Sequence, residues 1–279
     1  MKTRVLVTVM TYPTLSENHI ETVCTAGFKE NGEWIRIYPV PHRLLYKYNL
    51  KAYKKWQWIE VDLEKNPRDD RPESYHIVNV DTLTVEEGRI TDWNLRREWC
   101  FKNKPIYRNM TELIQKAKNN EVSLAVVKPT IITDLTIHKV DEKKLHEKLV
   151  KAKRNFSIKN MQLNLFEDRE VFNMSFNFAE QIPYKFKYVF YTEDGKKREL
   201  MIEDWEIIML YLNCRKKDSH EIACQKVKNK YMDLAKNKDV YLLLGTTYEW
   251  QKKNAPNPFV IVGVFYPPKQ DQLRLDFQL

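Results

Sequence analysis

Val23-Cys24-Thr25-Ala26-Gly27-Phe28, followed by Asn31-Gly32 and Glu33-Trp34-Ile35-Arg36-Ile37-Tyr38, decides the reading of the first third of the chain. Asn-Gly between two alternating runs is hairpin chemistry, because both residues tolerate the positive φ that a tight antiparallel turn requires. Working outward, residues 4–12 alternate apolar and polar, and residues 56–63 and 75–83 repeat the pattern with aromatics. Short aromatic strands joined by tight turns predict a β-rich small barrel, OB or SH3-like, over residues 1–90. Asn66-Pro67-Arg68-Asp69-Asp70-Arg71-Pro72-Glu73-Ser74 reads as a charged loop between its last two strands.

Beyond the barrel the periodicity becomes mixed, so the fold class is α+β. In residues 91–160, a helix over 92–103 sets Trp93, Arg96 and Arg97 within one turn, and Thr111 is the expected cap of a helix ending near 119. Residues 122–137 form an apolar run broken at Lys128-Pro129, read as one strand and its bent continuation. A lysine-laden helix follows over 141–155, and a boundary is placed near 155–170. Residues 161–279 form an α+β domain: strands at 171–178 and 184–192, an Asp194-Gly195 hairpin into 198–202, and a helix over 203–217. A second helix is capped by Ser219, and two apolar strands at 240–244 and 259–266 read as buried.

Six glycines among 279 residues exclude several function classes. No G-x-G-x-x-G, G-x-x-x-x-G-K-[ST] or G-x-S-x-G occurs, which argues against dinucleotide binding, P-loop chemistry and an α/β-hydrolase. No apolar run is long enough for a membrane span, and the N-terminus lacks an export signal, so four cysteines read as reduced thiols in a cytoplasmic protein. The net charge of +9 is uneven: residues 101–160 hold 14 basic and 6 acidic side chains, whereas residues 1–100 hold 15 of each. A concentrated positive field of this kind suits a polyanion, nucleic acid above all, and the alternative is a solvated lysine-rich helix.

Gln162-Leu163-Asn164-Leu165-Phe166 resembles the Q-L-x-L-F peptide by which bacterial DNA-acting proteins dock on the β sliding clamp. Gln272-Leu273-Arg274-Leu275-Asp276-Phe277 resembles its six-residue form. Such a peptide presents two leucines and a ring to an apolar pocket while the glutamine amide hydrogen-bonds. Alternating Leu and Phe also suit an edge strand. Val23–Phe28 with Trp34–Val40, Arg71-Pro72-Glu73-Ser74, Asp204-Trp205-Glu206 and Gly263–Pro268 are similar to a bacterial family with an OB-like N-terminal module found near genome-defence genes. That resemblance implies a DNA-conflict setting and brings no known chemistry. Some members carry a cysteine pair and Gly-His before the Asp-Trp-Glu helix, and Thr192–Lys197 here has neither.

The candidate catalytic residues are Asp204 and Glu206 at a helix start, and Asp70 and Glu73 in the charged loop. Carboxylates of this kind can activate water or stabilise an oxocarbenium ion, or hold magnesium for phosphodiester hydrolysis; capping and surface salt bridges are the alternative. Base excision needs no cofactor, and a nuclease would need Mg. The cysteines show no C-x-x-C, His220 with Cys224 is isolated, and no metal site is predicted. Rings interleaved with cations mark the candidate nucleic-acid contacts: Trp34, Arg36 and Tyr38, Lys185 and Lys187, joined by Arg71, Arg96, Arg97 and Lys128. Rings in and charges out on a strand is the competing reading. The sequence therefore predicts a DNA-acting protein, in phage defence or repair, recruited by the clamp through Gln162, Leu163, Leu165 and Phe166. Its chemistry would be base excision or strand cleavage; the alternatives are a non-catalytic OB-like binding module and an adaptor for an acidic protein.

Overall fold

The computed structural model describes residues 2–16, 20–46, 49–163 and 178–269. Its first part contains β1 (Lys2–Met10), β2 (Thr14–Ser16), β3 (Ile20–Lys29), β4 (Trp34–Pro41), β5 (Gln57–Lys65), β6 (Ser74–Ile77) and β7 (Thr84–Val85). Five of these close a barrel in the order β1-β3-β4-β6-β5, with β5 pairing back onto β1. Every neighbouring pair is antiparallel except β4 with β6. Counted along the chain, the circuit runs first, second, third, fifth, fourth, first. This is OB connectivity and decides between the two barrel types expected. The β3–β4 turn spans Glu30-Asn31-Gly32, and Gly32 at φ 88° takes the left-handed position of a three-residue hairpin loop.

Alternation explains the barrel interior. Val5 and Val7 of β1, Ile35 and Ile37 of β4, and Ile59, Val61 and Leu63 of β5 point inward, with Leu44 and Tyr53 closing one end. A register shift at Thr8 reverses the phase of β1, so Leu6 and Val9 point outward while Met10 returns to the interior. At Gly27 the backbones of β1 and β3 are so close that a Cβ would sit 1.9 Å from the Leu6 carbonyl oxygen.

The second part contains α1 (Trp93–Phe101), β8 (Ile106–Tyr107), α2 (Met110–Lys118), β9 (Leu124–Val127), β10 (Ile131–Lys139), α3 (Glu142–Leu163), β11 (Tyr184–Tyr191), β12 (Lys197–Met201), α4 (Trp205–Arg215), α5 (His220–Asn237), β13 (Tyr241–Thr246), α6 (Tyr248–Lys252) and β14 (Phe259–Phe265). One sheet runs β14-β13-β9-β8 and another β10-β11-β12. The first sheet is buried on both sides. Leu124, Val126, Leu243, Val260 and Val262 meet Leu6, Val9, Ala26 and Phe28 on the barrel's outer wall. Ala125, Val127, Leu242, Leu244, Phe259 and Ile261 face the core shared with α2, α4, α5 and β11. A strand covered on both faces has no reason to alternate, which accounts for the apolar runs in β13 and β14.

Several expectations are corrected. Residues 91–160 share their sheets with residues 161–279, since β9 pairs with β13 and β10 with β11. Pro129 ends β9, and β10 belongs to the other sheet rather than continuing the same strand. Asn109 caps α2, its Oδ1 accepting from the Thr111 and Glu112 amides, while the Thr111 hydroxyl donates to Asp194. The lysine-rich helix runs on to Leu163, past its expected end at 155 and into the expected boundary region. Most of the strand expected at 171–178 lies outside the described residues, as do Asn164, Leu165 and Phe166 and the whole C-terminal copy of the peptide. Gln162 and Leu163 form the end of α3.

Candidate functional site

The loop 66–73 joins β5 to β6 and stands between the barrel and the second part of the chain. A buried charge network ties it down. Arg71 donates through Nε to Asp69 Oδ1 at 2.8 Å and through Nη2 to Asp69 Oδ2 at 2.5 Å. Its Nη1 reaches the Thr246 carbonyl at the end of β13. Burial alone would raise the Asp69 carboxyl, but the Arg71 guanidinium and Ser74 hydroxyl outweigh it and leave the carboxyl below its ordinary value. Arg36 Nη1 donates to Ser123 Oγ at 2.7 Å and Nη2 to the Ser123 carbonyl at 3.0 Å. Glu73 accepts from the Ser123 hydroxyl at 2.5 Å and from the Ser123 amide. Arg36 and Arg71, expected as phosphate contacts, are therefore buried struts. The second part covers the middle of the β3–β4 face, so Trp34, Arg36 and Tyr38 do not form one exposed row.

On either side of this network a cleft remains open. The first, of about 350 Å³, is lined by Trp34, Tyr75 and Tyr107 together with Lys29, Lys65 and Lys104. The Lys65 ammonium lies 4.4 Å from the Tyr75 ring centre and that of Lys29 5.2 Å away. Lys104 is the unusual member. Its ammonium sits 3.9 Å from the Phe28 ring centre and donates to the Trp99 and Lys102 carbonyls at the end of α1. No carboxylate pairs with it among the described residues, and burial pulls its pKa down to about 8, with the Lys102 charge adding to the effect. Glu73 lines the same cleft, with its carboxylate held by Ser123.

The second cleft, of about 530 Å³, is bounded by Tyr38, Pro39, Arg68, Arg71, His76 and Tyr248. Lys252 and Arg71 lie 4.5 and 5.6 Å from the Tyr248 ring centre. Asp70 is exposed on the loop crest, where its carbonyl accepts from Asn120.

Asp204 and Glu206 lie elsewhere, at the start of α4. Asp204 is the N-cap and is wholly buried, accepting from the Glu206 amide at 3.1 Å and the Val264 amide at 3.2 Å while pairing with Lys55. Burial works against the Lys55 ammonium, but the Asp204 and Glu206 charges outweigh it and hold its pKa above the ordinary value. Glu206, 3.8 Å from Lys55, lines a third cleft of about 480 Å³ with Arg89 and Trp205. Lys55 lowers the Glu206 pKa, while burial and the Asp204 charge push harder and leave it raised.

The remaining expected contacts are dispersed. Arg96 is held between Trp56 and Trp93, 5.0 and 4.9 Å from their ring centres. Arg97 and Lys128 share Asp239. Lys185 is exposed on β11, and Lys187 lies 3.8 Å from Glu199. Among the described residues, no group of three or more His, Cys, Asp or Glu side chains is placed to hold a metal ion. No helix there is long and apolar enough to cross a membrane. Sequence reasoning missed Lys104, Tyr75, His76 and Tyr248, because burial against a distant element leaves no local pattern. Lys104 next to Pro105 at a helix end was the faint signal available.

Residues 107–278 match a family model described as a domain of unknown function, DUF8757. The chain belongs to the DUF8757 family. Residues 1–102 match a second model, also described as a domain of unknown function, DUF8758, which covers the barrel and α1. No curated protein matches the chain.

Proposed function

We propose that this DUF8757 protein binds single-stranded DNA across the clefts flanking the loop 66–73. The observation that supports this most is the first cleft. Two rings suited to stacking bases, Trp34 and Tyr75, line it with three ammonium groups; Lys29 pairs there with Glu33, whereas the Lys104 ammonium has no carboxylate partner among the described residues. A phosphate would supply the missing anion. The OB barrel gives the clefts a rigid scaffold, and the exposed lysines of α3, which lies against β2 and β3, extend the positive field.

Fluorescence anisotropy with a labelled oligo-dT tests the reading. Affinity should fall as salt is added, by about 0.7 in log-log slope for each phosphate neutralised. Trp34→Ala and Lys29→Ala with Lys65→Ala should each weaken binding roughly tenfold, in line with stacking energies of about 1–3 kcal/mol per base. Absence of binding at low salt would end the proposal.

A catalytic reading rests on Glu206, the one candidate carboxylate that combines a cleft, a raised pKa and a neighbouring lysine. Plain and modified duplexes incubated with the protein and then heated in alkali should break if base excision or strand cleavage occurs, and Glu206→Gln should abolish the breaks. Unbroken duplexes with intact binding would leave the binding module. Recruitment by the β sliding clamp is a further part of the proposal: Leu165→Ala with Phe166→Ala should abolish clamp pull-down, and unchanged capture would remove it.

A further inference from the structure

We propose that the third cleft, beside Glu206, is a binding site for a phosphate monoester carried on a small organic body. The site stands whether or not the first two clefts bind a strand, and it asks for no catalysis by Glu206. Its volume of about 480 Å³ lies in the range of small-molecule sites. Met10, Leu45, Ala52 and the half-buried Trp205 give it an apolar lining, and the exposed Lys54 and Arg89 supply cations.

The charges in and behind the cleft do not balance. Those that act on Glu206 are Lys55, Asp204, Arg89 and Arg96. Lys55 pairs with Asp204 and lies 3.8 Å from Glu206, while Arg96 sits against the Trp56 and Trp93 rings. With Lys54 included, four cations face the carboxylates of Asp204 and Glu206, a surplus of two positive charges. Lys54 and Arg89 carry that surplus. Among the described residues the Lys54 ammonium has no partner, its backbone amide alone being bonded, and Arg89 makes a single side-chain hydrogen bond, from Nε to the Lys55 carbonyl at 3.0 Å. That bond anchors the guanidinium and leaves both Nη groups free, a planar fork preset for two oxygens of one oxyanion.

The class of ligand follows from charge and shape. A phosphate monoester carries roughly 1.5 to 2 negative charges at neutral pH and three terminal oxygens, enough for the Arg89 fork and the Lys54 ammonium together. A diester or a carboxylate brings one charge and two free oxygens, and leaves one of the two cations unmatched. The apolar lining adds nothing for inorganic phosphate and favours an ester whose organic part covers Met10 and Leu45.

Isothermal titration calorimetry with phenyl phosphate, dimethyl phosphate and inorganic phosphate tests the site. Phenyl phosphate should bind about tenfold tighter than either of the others. Arg89→Gln and Lys54→Gln should each weaken it about tenfold, and Arg89→Lys should also weaken it, because the charge remains and the fork is lost. Lys54 is exposed and its side chain has no bond to lose, so its variant reads recognition rather than folding; circular dichroism checks the Arg89 variants. No heat with phenyl phosphate at millimolar concentration, equal affinity for all three compounds, or unchanged affinity in Arg89→Gln and Lys54→Gln would overturn the inference. Oligo-dT with a 5′-phosphate or a 5′-hydroxyl identifies the source. A gain from the 5′-phosphate that Arg89→Gln removes makes a strand end the ligand, and phenyl phosphate binding without such a gain makes it a free ester; either result upholds the site. Failure of oligo-dT to bind at all would end the single-strand reading and leave the phenyl phosphate result to decide this one.

Discussion

Arg36 on the barrel and Ser123 in the second part are 87 residues apart in sequence, and the guanidinium grips both the hydroxyl and the carbonyl of that serine, at 2.7 and 3.0 Å. Burial draws the Arg36 pKa down to about 10, with the Arg71 charge adding to it. The pair survives because hydrogen bonds replace the water lost by a buried cation. Arg36→Ala should therefore lower stability by about 3 kcal/mol, since it leaves Ser123 and the loop 66–73 with unmatched polar groups. Urea unfolding measures this, and an unchanged midpoint would refute it.

Gly27→Ala should be at least as damaging. Its Cβ would lie 1.9 Å from the backbone oxygen of Leu6, so a whole strand must shift rather than one rotamer. About 3 kcal/mol is expected from overpacking of this kind. Gly195→Ala provides a contrast, because a Cβ there meets nothing within 4 Å and only the turn conformation is strained. Thermal melting of the two variants should place Gly27→Ala well below Gly195→Ala.

Lys104 predicts a pH signature. With its folded pKa near 8 and an unfolded lysine at roughly 10.4, the unfolded chain binds more protons between those values. Stability from this group therefore rises as pH increases from 8 towards 10. Relative to Lys104→Met, the wild-type protein should gain stability over that window, as read by urea midpoints at each pH. DNA affinity should move the other way, falling above pH 8 as the ammonium is lost, and the fall should be smaller in Lys104→Met.

Asp204 and Glu206 should respond differently to neutralisation. Asp204→Ala strips a buried ammonium of its closest partner and removes a helix cap, with an expected loss of about 3–5 kcal/mol. Glu206→Gln alters a partly exposed side chain and should change stability by less than about 1 kcal/mol. Comparable losses in the two variants, by chemical denaturation, would contradict the arrangement described.

The barrel was legible in the sequence because its strands alternate and its first hairpin carries Asn31-Gly32. The same alternation offered Trp34, Arg36 and Tyr38 as an exposed row, with rings in and charges out as the competing reading. It could not tell what lies outside, and there the sheet containing β9 and β13 turns the central arginine into an interior residue. Asp204 was legible as a cap from its position before Trp205, but its pairing with Lys55 joins residues 149 apart and has no local signature. The basic surplus of residues 101–160 was visible as a sum; its division between the exposed face of α3, the Asp239-bound Lys128 and the half-buried Lys104 depended on tertiary contacts.

Leu6, Val9 and Phe28 press outward onto Leu124, Leu243 and Val260, so the barrel and its neighbour share one wall rather than meeting across a linker. Cutting the chain after residue 102 would leave each fragment with a raw greasy flank. Co-expressed halves should find each other again, whereas either alone should precipitate, and any attempt to graft this barrel onto another protein must bring its companion sheet along.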